Sequence, residues 1–455
     1  MNSTAKTSHG RKRALTLVMA IISGVIAVSI PAVTAFAAND ATMTTDRLRS
    51  TPQAGVMSSG TLLLLSALVA VSIFLVVVFR HIAMHGARTA VASRQADRKD
   101  RANRIVVLIP AHNEAGCIGP TIEAMLRQDR PADEIVVIPN GCADDTAEIA
   151  RRYPVTVLEL PELAHRKSEA LNIAWRRYAQ SADLVVCLDA DTIMPPSTLG
   201  QWESEFDHNP DLGGSSSKFT MIQNGLLPRL QKAEFARWTM TSLRRGWTSV
   251  LAGTGCAIRN AALRDVVAND GRDGPWSYHS VVEDFELTYQ IRTLGWLCQV
   301  SPNVRAYTDS MPTVRALWGQ RMKWQTGTVE DLLRIGVTKL TFLDWMQQVA
   351  GLAAALVRLS WVVFTIFAAM MGTLQFSTFW LLPPLLFIAN DVRQSWYVPH
   401  RSWKDILLAA LLIPQELFAW MRAGWFLSAW FEVLVNKTTG RSKDRWALQA
   451  LAEGR

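Results

Sequence analysis

The chain has 455 residues, of which 49% are hydrophobic, and a formal net charge of +8. This length allows two or three domains, and the average hydrophobic content excludes neither a soluble nor a membrane protein. The class therefore has to be inferred from how apolar and basic residues are distributed. All five cysteines lie at or beyond Cys117 without metal-ligand spacing, which predicts reduced packing residues with no disulfide and no zinc site.

Two apolar runs precede residue 80. Residues 14–37 follow a basic triplet and end in Ala-Phe-Ala, which is typical of a cleavable signal peptide and also of a retained membrane helix. Residues 60–79 carry no charge and can cross a bilayer as a helix. The predicted N-terminal segments are a signal-like or transmembrane segment with an extracytoplasmic linker at 1–59, a transmembrane helix at 60–80 and a basic connector at 81–103.

Much of the positive charge follows this predicted helix. The basic residues there are Arg80, Arg88, Arg94, Arg98, Lys99, Arg101 and Arg104. By the positive-inside rule these basic residues place the part of the chain that follows them in the cytoplasm. The basic residues themselves are expected to contact membrane lipids. The cluster contains no aromatic side chain on which a base could stack, so we predict no nucleic-acid partner. The expected protein is a multi-pass cell-membrane protein with a cytoplasmic central domain.

Strand and helix patterns alternate from residue 104 to 310. The predicted strands are 104–109, 134–138, 155–160 and 184–188, and the predicted helices are about 118–128, 144–152 and 167–180. This alternation predicts an α/β fold with a mostly parallel sheet and helices on both faces. Residues from about 200 onward show a less regular pattern.

The last third of the chain is again apolar, at 349–371, 376–390 and 405–435. Basic residues on both sides of the last run require it either to cross the membrane twice or to lie along the interface. The predicted C-terminal segments are amphipathic interface helices at 311–345, transmembrane or interface helices at 346–436 and a cytoplasmic tail at 437–455.

The strand at 184–188 is followed by Asp189 and Asp191. In an open α/β sheet the carboxyl ends of the strands border the ligand crevice, so both acids are expected to face it. Together with other oxygen ligands, such as a substrate diphosphate, they can hold a hard divalent cation. The alternative is that one of them only caps the following helix.

Polar residues also follow the first two strands. The first strand ends in Pro-Ala-His-Asn-Glu at 110–114, and the second is followed by Asn140 and an acidic turn at 141–146. These groups are expected to converge on the same crevice, where Asn140, Asp144 or Asp145 could hold a base and ribose by hydrogen bonds. Ordinary turn and helix-capping chemistry is the alternative explanation.

Three further motifs suggest ligand contacts. Lys167 stands near a helix N-terminus, which suits an anion, although a solvated basic face would look the same. Gly253 and Gly255 permit a close backbone approach or only a turn. Glu283 and Asp284 begin a predicted helix, where acids also serve as caps.

The string Gln-Arg-Met-Lys-Trp at 320–324 combines an amide, two cations and a large aromatic ring. In a helix Gln320, Lys323 and Trp324 share one face, which could meet a phosphate and stack on a sugar ring. The alternative is a basic amphipathic helix on the membrane surface.

In this order the motifs resemble the membrane-integrated family 2 glycosyltransferases, the group of the cellulose, hyaluronan and poly-N-acetylglucosamine synthases. The resemblance covers roughly residues 60–435. It implies an α/β GT-A (Rossmann-like) cytoplasmic domain embedded between transmembrane helices, a UDP-sugar donor and inversion at the anomeric carbon.

The resemblance also implies residue roles. It makes Asp284 the general base, with Glu283 beside it, and makes Asp191 the ligand of Mg²⁺ or Mn²⁺ bridging the diphosphate. The implied nucleotide-sugar residues are Ala111, Asn113, Glu114, Asn140, Lys167, Asp189 and Arg321. The implied acceptor residues are Gly253, Gly255, Gln320 and Trp324.

Three positions depart from the family pattern. Pro139 and Asn140 stand where two acids are usual, Val282 replaces a threonine, and Lys323 replaces an arginine. The lysine keeps the positive charge but cannot form the bidentate hydrogen bonds to phosphate that a planar guanidinium forms.

The expected activity is processive transfer of a sugar to a growing polysaccharide, coupled to its translocation. The alternatives are transfer of a single sugar to a lipid acceptor and a non-catalytic nucleotide-sugar-binding subunit. A homo-oligomer or an accessory export protein could complete a secretion path.

Overall fold

The computed structural model describes residues 102–372, 382–440 and 443–453. The predictions for 1–59, 60–80 and 81–101 therefore lie outside the described residues, as does 376–381 within the second C-terminal apolar run. The described residues fall into two compact units: residues 332–360 belong to one, and all the others belong to the second.

The second unit is built around a sheet of seven strands in the described part of the chain. These are β1 (Ile105–Ala111), β2 (Glu134–Pro139), β3 (Thr156–Val157), β4 (Leu184–Cys187), β5 (Leu212–Met221), β6 (Cys256–Arg259) and β7 (Leu297–Thr308). They are arranged in the order β3-β2-β1-β4-β6-β5-β7. Four neighbouring pairs are parallel, and only β6 runs antiparallel, to both β4 and β5. The predicted mostly parallel α/β sheet is confirmed.

Seven helices accompany these strands. They are α1 (Ile118–Leu126), α2 (Thr146–Arg151), α3 (Arg166–Ala174), α4 (Thr198–His208), α5 (Leu226–Arg245), α6 (Asn260–Asp270) and α7 (Glu283–Thr293). Apolar clusters cover both faces of the sheet: Val106 and Leu108 of β1 belong to one and Val107 and Ile109 to the other. A strand that is buried on both faces reads as a continuous apolar run, which is why β1 and β4 were recognisable from sequence.

The expectation of an irregular region after residue 200 was wrong. It contains α4, β5, α5, β6 and α6 and reaches β7. The strand β5 includes Gly-Gly-Ser-Ser-Ser, and these residues are buried although they are small or polar. The Ser215 hydroxyl, for example, donates a hydrogen bond of 2.7 Å to Glu205. Because polar side chains are buried by pairing rather than by hydrophobicity, the strand carries no apolar pattern.

The order of the strands reverses beside β1. The chain first moves outward from β1 through β2 to β3 and then returns to place β4 on the other side of β1. At such a switch point the connections leave the sheet in opposite directions, which opens a crevice at the carboxyl ends of the two strands. The residues that follow β1 and β4 therefore border the same opening.

Six helices complete the described chain. They are α8 (Val314–Ile335), α9 (Phe342–Met370), α10 (Leu382–Ser395), α11 (Trp403–Ala410), α12 (Leu412–Thr439) and α13 (Arg445–Glu453). Among the described residues, the segment Phe342–Phe367 is long and apolar enough to cross a membrane. The pair α11 and α12, bent by 75°, meets the same criterion if the two are counted as one span.

An apolar cluster fixes the first half of α8 within the second unit. Leu317 and Met322 of α8 are buried in it together with Leu230 of α5 and Trp425 and Ala429 of α12. Because these packed side chains fix the rotation of α8 about its axis, they also fix the directions in which the other residues of the 320–324 string leave the helix.

Candidate active site

Two strand-end acids occupy the crevice. Asp189 follows the buried end of β4, and Asp191 lies two residues further on. The Asp191 carboxylate accepts hydrogen bonds from the Thr308 hydroxyl at 3.1 Å and the Thr192 hydroxyl at 3.3 Å. Neither contact is a charge pair, so Asp191 is oriented without being neutralised.

Burial, together with the negative charges of Asp189 and Glu114, raises the pKa of Asp191 to about 7. Like charges gathered in a poorly solvated place favour either a proton or a cation. Within the described residues, no group of three or more His, Cys, Asp or Glu side chains forms a metal site by itself. A metal ion here would take its further oxygen ligands from water or a bound molecule.

Lys167 connects the two halves of the site. Its ammonium lies 2.6 Å from Asp189 Oδ1, at the end of β4, and 3.2 Å from Glu283 Oε1, at the start of α7. Burial opposes the charge of Lys167, but these carboxylates outweigh it and raise the lysine pKa well above its ordinary value. Lys167 is therefore charged at neutral pH.

Asp284 occupies the first turn of α7 next to Glu283. Its Oδ1 accepts a 2.8 Å hydrogen bond from the backbone N–H of Phe285. Burial and the charge of Glu283 raise the pKa of Asp284, Lys167 partly offsets the rise, and the result is a pKa of about 6. A carboxylate of this kind is ionised at neutral pH yet basic enough to accept a proton.

Gly253 lies directly against these charged groups. A Cβ atom at this position would be 2.9 Å from Lys167 Nζ and 3.3 Å from Asp189 Oδ2. At Gly255 a Cβ would lie only 2.2 Å from Met194 Cε. The backbone of this loop thus borders the Lys167–Asp189 pair at a distance that a side chain would prevent.

The loops after β1 and β2 interlock beside the same crevice. The backbone N–H of Asn140 donates to the Ala111 carbonyl at 2.9 Å, and the Asn113 side-chain oxygen accepts the Ala143 N–H at 2.8 Å. The Glu114 N–H donates to Thr146 at 2.8 Å. The Asn140 Oδ1 is buried and accepts no hydrogen bond among the described residues. It remains available to a donor group of a ligand.

The two cations of the 320–324 string face different surroundings. Arg321 is 3% exposed, forms a 3.0 Å ion pair with Glu234 and stacks against Phe235, Trp238 and Trp324. This placement is contrary to the predicted nucleotide-sugar contact for Arg321, because its charge is already enclosed by α5.

Lys323 is the cation on the side of the site, and the predicted residue set omitted it. Burial lowers the pKa of Lys323, Glu283 and Asp189 oppose this shift, Lys167 adds to it, and the result is a pKa of about 8. The signal was present in the sequence, because Lys323 lies on the helix face of Gln320 and is roughly 200° around the helix from Arg321. Gln320 and Trp324 are both half-buried on α8.

The structure therefore brings five of the predicted residues to one place: Lys167, Asp189, Gly253, Glu283 and Asp284. A small cavity among them is lined by Pro110, Lys167, Asp189, Gly253, Glu283 and Asp284, with apolar residues behind. A doubly wound sheet with acids and cations at the switch-point strand ends is the arrangement of a nucleotide-dependent α/β transferase.

Comparison with known proteins defines this class further. Residues 102–327 match the family model described as glycosyltransferase like family 2. The chain therefore contains a family 2 glycosyltransferase domain.

Curated relatives share this domain. A poly-beta-1,6-N-acetyl-D-glucosamine synthase of Staphylococcus epidermidis is 26% identical over 282 residues, covering 58% of this chain and 66% of the relative. The synthase of the same name from Staphylococcus aureus strain MSSA476 is 27% identical over 246 residues, covering 52% of this chain and 57% of the relative. The matches thus span less than two thirds of these relatives.

A solved structure supports the fold. A mannosyltransferase from Pyrobaculum calidifontis, in complex with GDP-Man and Mn²⁺, superposes with a TM-score of 0.50. It is 20% identical, and the alignment covers 78% of this chain and 96% of the other.

Proposed function

We propose that this protein is a membrane-embedded, inverting glycosyltransferase that adds sugars from a UDP-sugar to a growing polysaccharide. The observation that carries the proposal is the position of Asp284, a buried carboxylate with a pKa of about 6 beside the Lys167–Asp189 pair. Such a group can accept a proton from a hydroxyl at neutral pH. The relatives named as poly-beta-1,6-N-acetyl-D-glucosamine synthases support a polysaccharide as the acceptor.

The donor nucleotide occupies the loops at the ends of β1, β2 and β4. The buried Asn140 Oδ1 accepts a hydrogen bond from the base, and Asp189 binds near the nucleoside. Ala111, Asn113 and Glu114 form the facing wall. Lys167 and Lys323 supply positive charge for the diphosphate, which is favourable because both are poorly solvated.

Asp191 is the protein ligand for Mg²⁺ or Mn²⁺. The like charges around its carboxylate fit a divalent cation, which would also need oxygen ligands from outside the protein. When bound, such an ion would supply positive charge for the leaving diphosphate.

The transfer is a single displacement. Asp284 takes the proton of the acceptor hydroxyl while that oxygen bonds to the anomeric carbon, and the bond from this carbon to the diphosphate oxygen breaks. Attack from the face opposite the leaving group inverts the anomeric centre without a covalent enzyme nucleophile. Glu283 holds Lys167 beside Asp284, while Gly253, Gly255, Gln320 and Trp324 border the acceptor.

The catalytic domain lies in the cytoplasm of a multi-pass membrane protein. The apolar segment Phe342–Phe367 and the bent pair α11–α12 support membrane attachment. Processive transfer would pass the chain along these helices, with a homo-oligomer or an accessory export protein completing the path.

The proposal is tested with the full-length protein in liposomes and Mn²⁺ or Mg²⁺. UDP release is measured across a panel of UDP-sugars, and any product is sized. Polymer from one donor is the expected result, with UDP release lost in Asp284→Asn. If the product is a single glycosylated lipid, the acceptor is a lipid rather than a polysaccharide. If no donor gives metal-dependent release of UDP, the proposal is contradicted.

A further inference from the structure

The C-terminal helix α13 packs against the segment of α8 that carries the 320–324 string. The contact is centred on Gly319, immediately before Gln320. A Cβ atom at Gly319 would lie 2.9 Å from the Ala452 Cβ and 3.5 Å from the Gln449 Cα. The two helices therefore approach as closely as a glycine permits, and α13 lies over the string rather than apart from it.

Trp446 of α13 covers the ammonium of Lys323. The Lys323 Nζ lies 3.3 Å from the centre of the Trp446 ring. Lys323 is 7% exposed and Trp446 is half-buried, so water is largely excluded from the contact. A cation over an indole face is attracted by the ring quadrupole, and the attraction is strongest where the cation is desolvated.

A second contact ties the start of α13 to the donor side of the site. Asp444 forms a 2.6 Å ion pair with Arg166, which directly precedes Lys167. Behind it, Lys443 lies 3.7 Å from Glu432 of α12, and Arg445 pairs with the same carboxylate. The helix is thus attached on one side to α12 and on the other to the first turn of α3, which carries Lys167.

We propose that α13 is part of the donor site and that Trp446 is a positioning residue, which holds the Lys323 ammonium towards the nucleotide diphosphate. This inference rests on the proposed function. A lysine has a flexible four-carbon stem and lacks the planar fork of arginine, so its ammonium binds phosphate well only if its direction is fixed. The Trp446 ring over the ammonium restricts that direction, and the negative charge of Glu283 attracts the same ammonium.

The test measures UDP affinity in the full-length protein, with Mn²⁺ and without any acceptor. We expect Trp446→Ala to weaken UDP binding about tenfold and to raise the donor KM by a similar factor, with kcat at saturating donor changed little. Trp446→Phe keeps an aromatic face and is expected to retain most of the affinity. If the indole had only a structural role, Trp446→Phe would not retain the UDP affinity and the effect of Trp446→Ala would not be confined to the donor KM.

A second variant moves the helix without removing the ring. Gly319→Ala introduces a methyl group where Ala452 stands, so it displaces α13 and is expected to reproduce the weaker UDP binding. The control is Leu451→Ala, because Leu451 lies on the same helix and is 62% exposed. Its UDP affinity should equal that of the wild type.

Two results would overturn the inference. One is UDP binding unchanged in both Trp446→Ala and Gly319→Ala. The other is tighter binding or faster turnover in either variant, which would make α13 an obstruction to the donor. Because UDP binding requires no sugar transfer, these outcomes are separate from the failure of the proposed function, which is a wild-type protein that releases no UDP from any donor.

Discussion

The Lys167 ammonium lies 3.2 Å from the Glu283 carboxylate and so joins the start of α3 to the start of α7. The same ammonium lies 2.6 Å from Asp189, at the end of β4. One cation therefore links three elements that are distant in sequence. Asp284, the next residue along α7, is thereby held beside the strand ends where the donor is proposed to bind.

Replacing the proposed base tests the chemistry directly. In Asp284→Asn the side chain keeps its shape but cannot accept a proton at neutral pH, so turnover should fall at least about 100-fold. UDP affinity should remain within about twofold of wild type, because the residue faces the acceptor rather than the nucleotide. Turnover is measured by UDP release and affinity by calorimetry.

The matched control is Glu148→Gln, which changes an exposed first-turn acid on α2. Its turnover should be that of the wild type. Near-normal turnover in Asp284→Asn would remove this residue from the base role.

The pH dependence of kcat/KM should show an acid limb. Asp284 must be ionised to accept a proton, and burial raises its pKa to about 6. Activity should therefore be half-maximal at about pH 6 and level off roughly one pH unit above it. The profile is measured at low donor concentration, where it reports groups of the free enzyme. An acid limb centred near pH 4 would mean that the carboxylate is not desolvated.

An alkaline limb should arise from Lys323. Its pKa is lowered to about 8 by burial, so the cation is lost as the pH rises through that value and donor binding weakens. In Lys323→Arg the charge persists to much higher pH, because a guanidinium does not deprotonate in this range. The expected result is a profile that stays flat above pH 8, and an unchanged alkaline limb would assign it to another group.

Adding a methyl group at Gly253 should weaken donor binding. In Gly253→Ala the new Cβ would stand 2.9 Å from Lys167 Nζ, so the ammonium must move away from Asp189. We expect the donor KM to rise several-fold with little change in melting temperature, because the lysine end is flexible. Gly200→Ala is the control, since its Cβ would meet only an ordinary contact at 3.5 Å. Equal donor KM values for the two variants would contradict the prediction.

Arg321 and Glu234 should be required for stability rather than for donor binding. Glu234→Ala leaves the buried guanidinium without its carboxylate, a change that costs about 3–5 kcal/mol in buried pairs. The melting temperature in detergent should fall clearly, while the donor KM of the folded fraction stays near wild type. Glu123→Ala breaks an exposed pair with Arg127 and should have little effect. A large rise in donor KM without loss of stability would restore Arg321 to the nucleotide site.

The parts of the fold that were predictable are those with an apolar signature. β1, β2 and β4 are buried on both faces, so their sequences are continuous apolar runs, and the polar residues after them mark the crevice. β3, predicted as 155–160, is Thr156–Val157 as a regular strand, and beyond it the backbone N–H groups of Leu158 and Leu160 still donate to the carbonyls of Val137 and Pro139 in β2. The strand β5 was missed because its buried serines are satisfied by hydrogen bonds rather than by apolar surroundings.

The sequence by itself determined which chemical groups this protein has and on which elements they stand: acids after β4 and at the start of α7, and a string with two cations on α8. Residues 321 and 323 are separated by roughly 200° around a helix, so only one of the two cations can face the site. The tertiary structure decided which one, because the apolar cluster around α8 turns Lys323 inward and Arg321 towards Glu234. It also brought Trp446 to Lys323 across more than 100 positions, a contact that arises from helix packing and leaves no local signature in the chain.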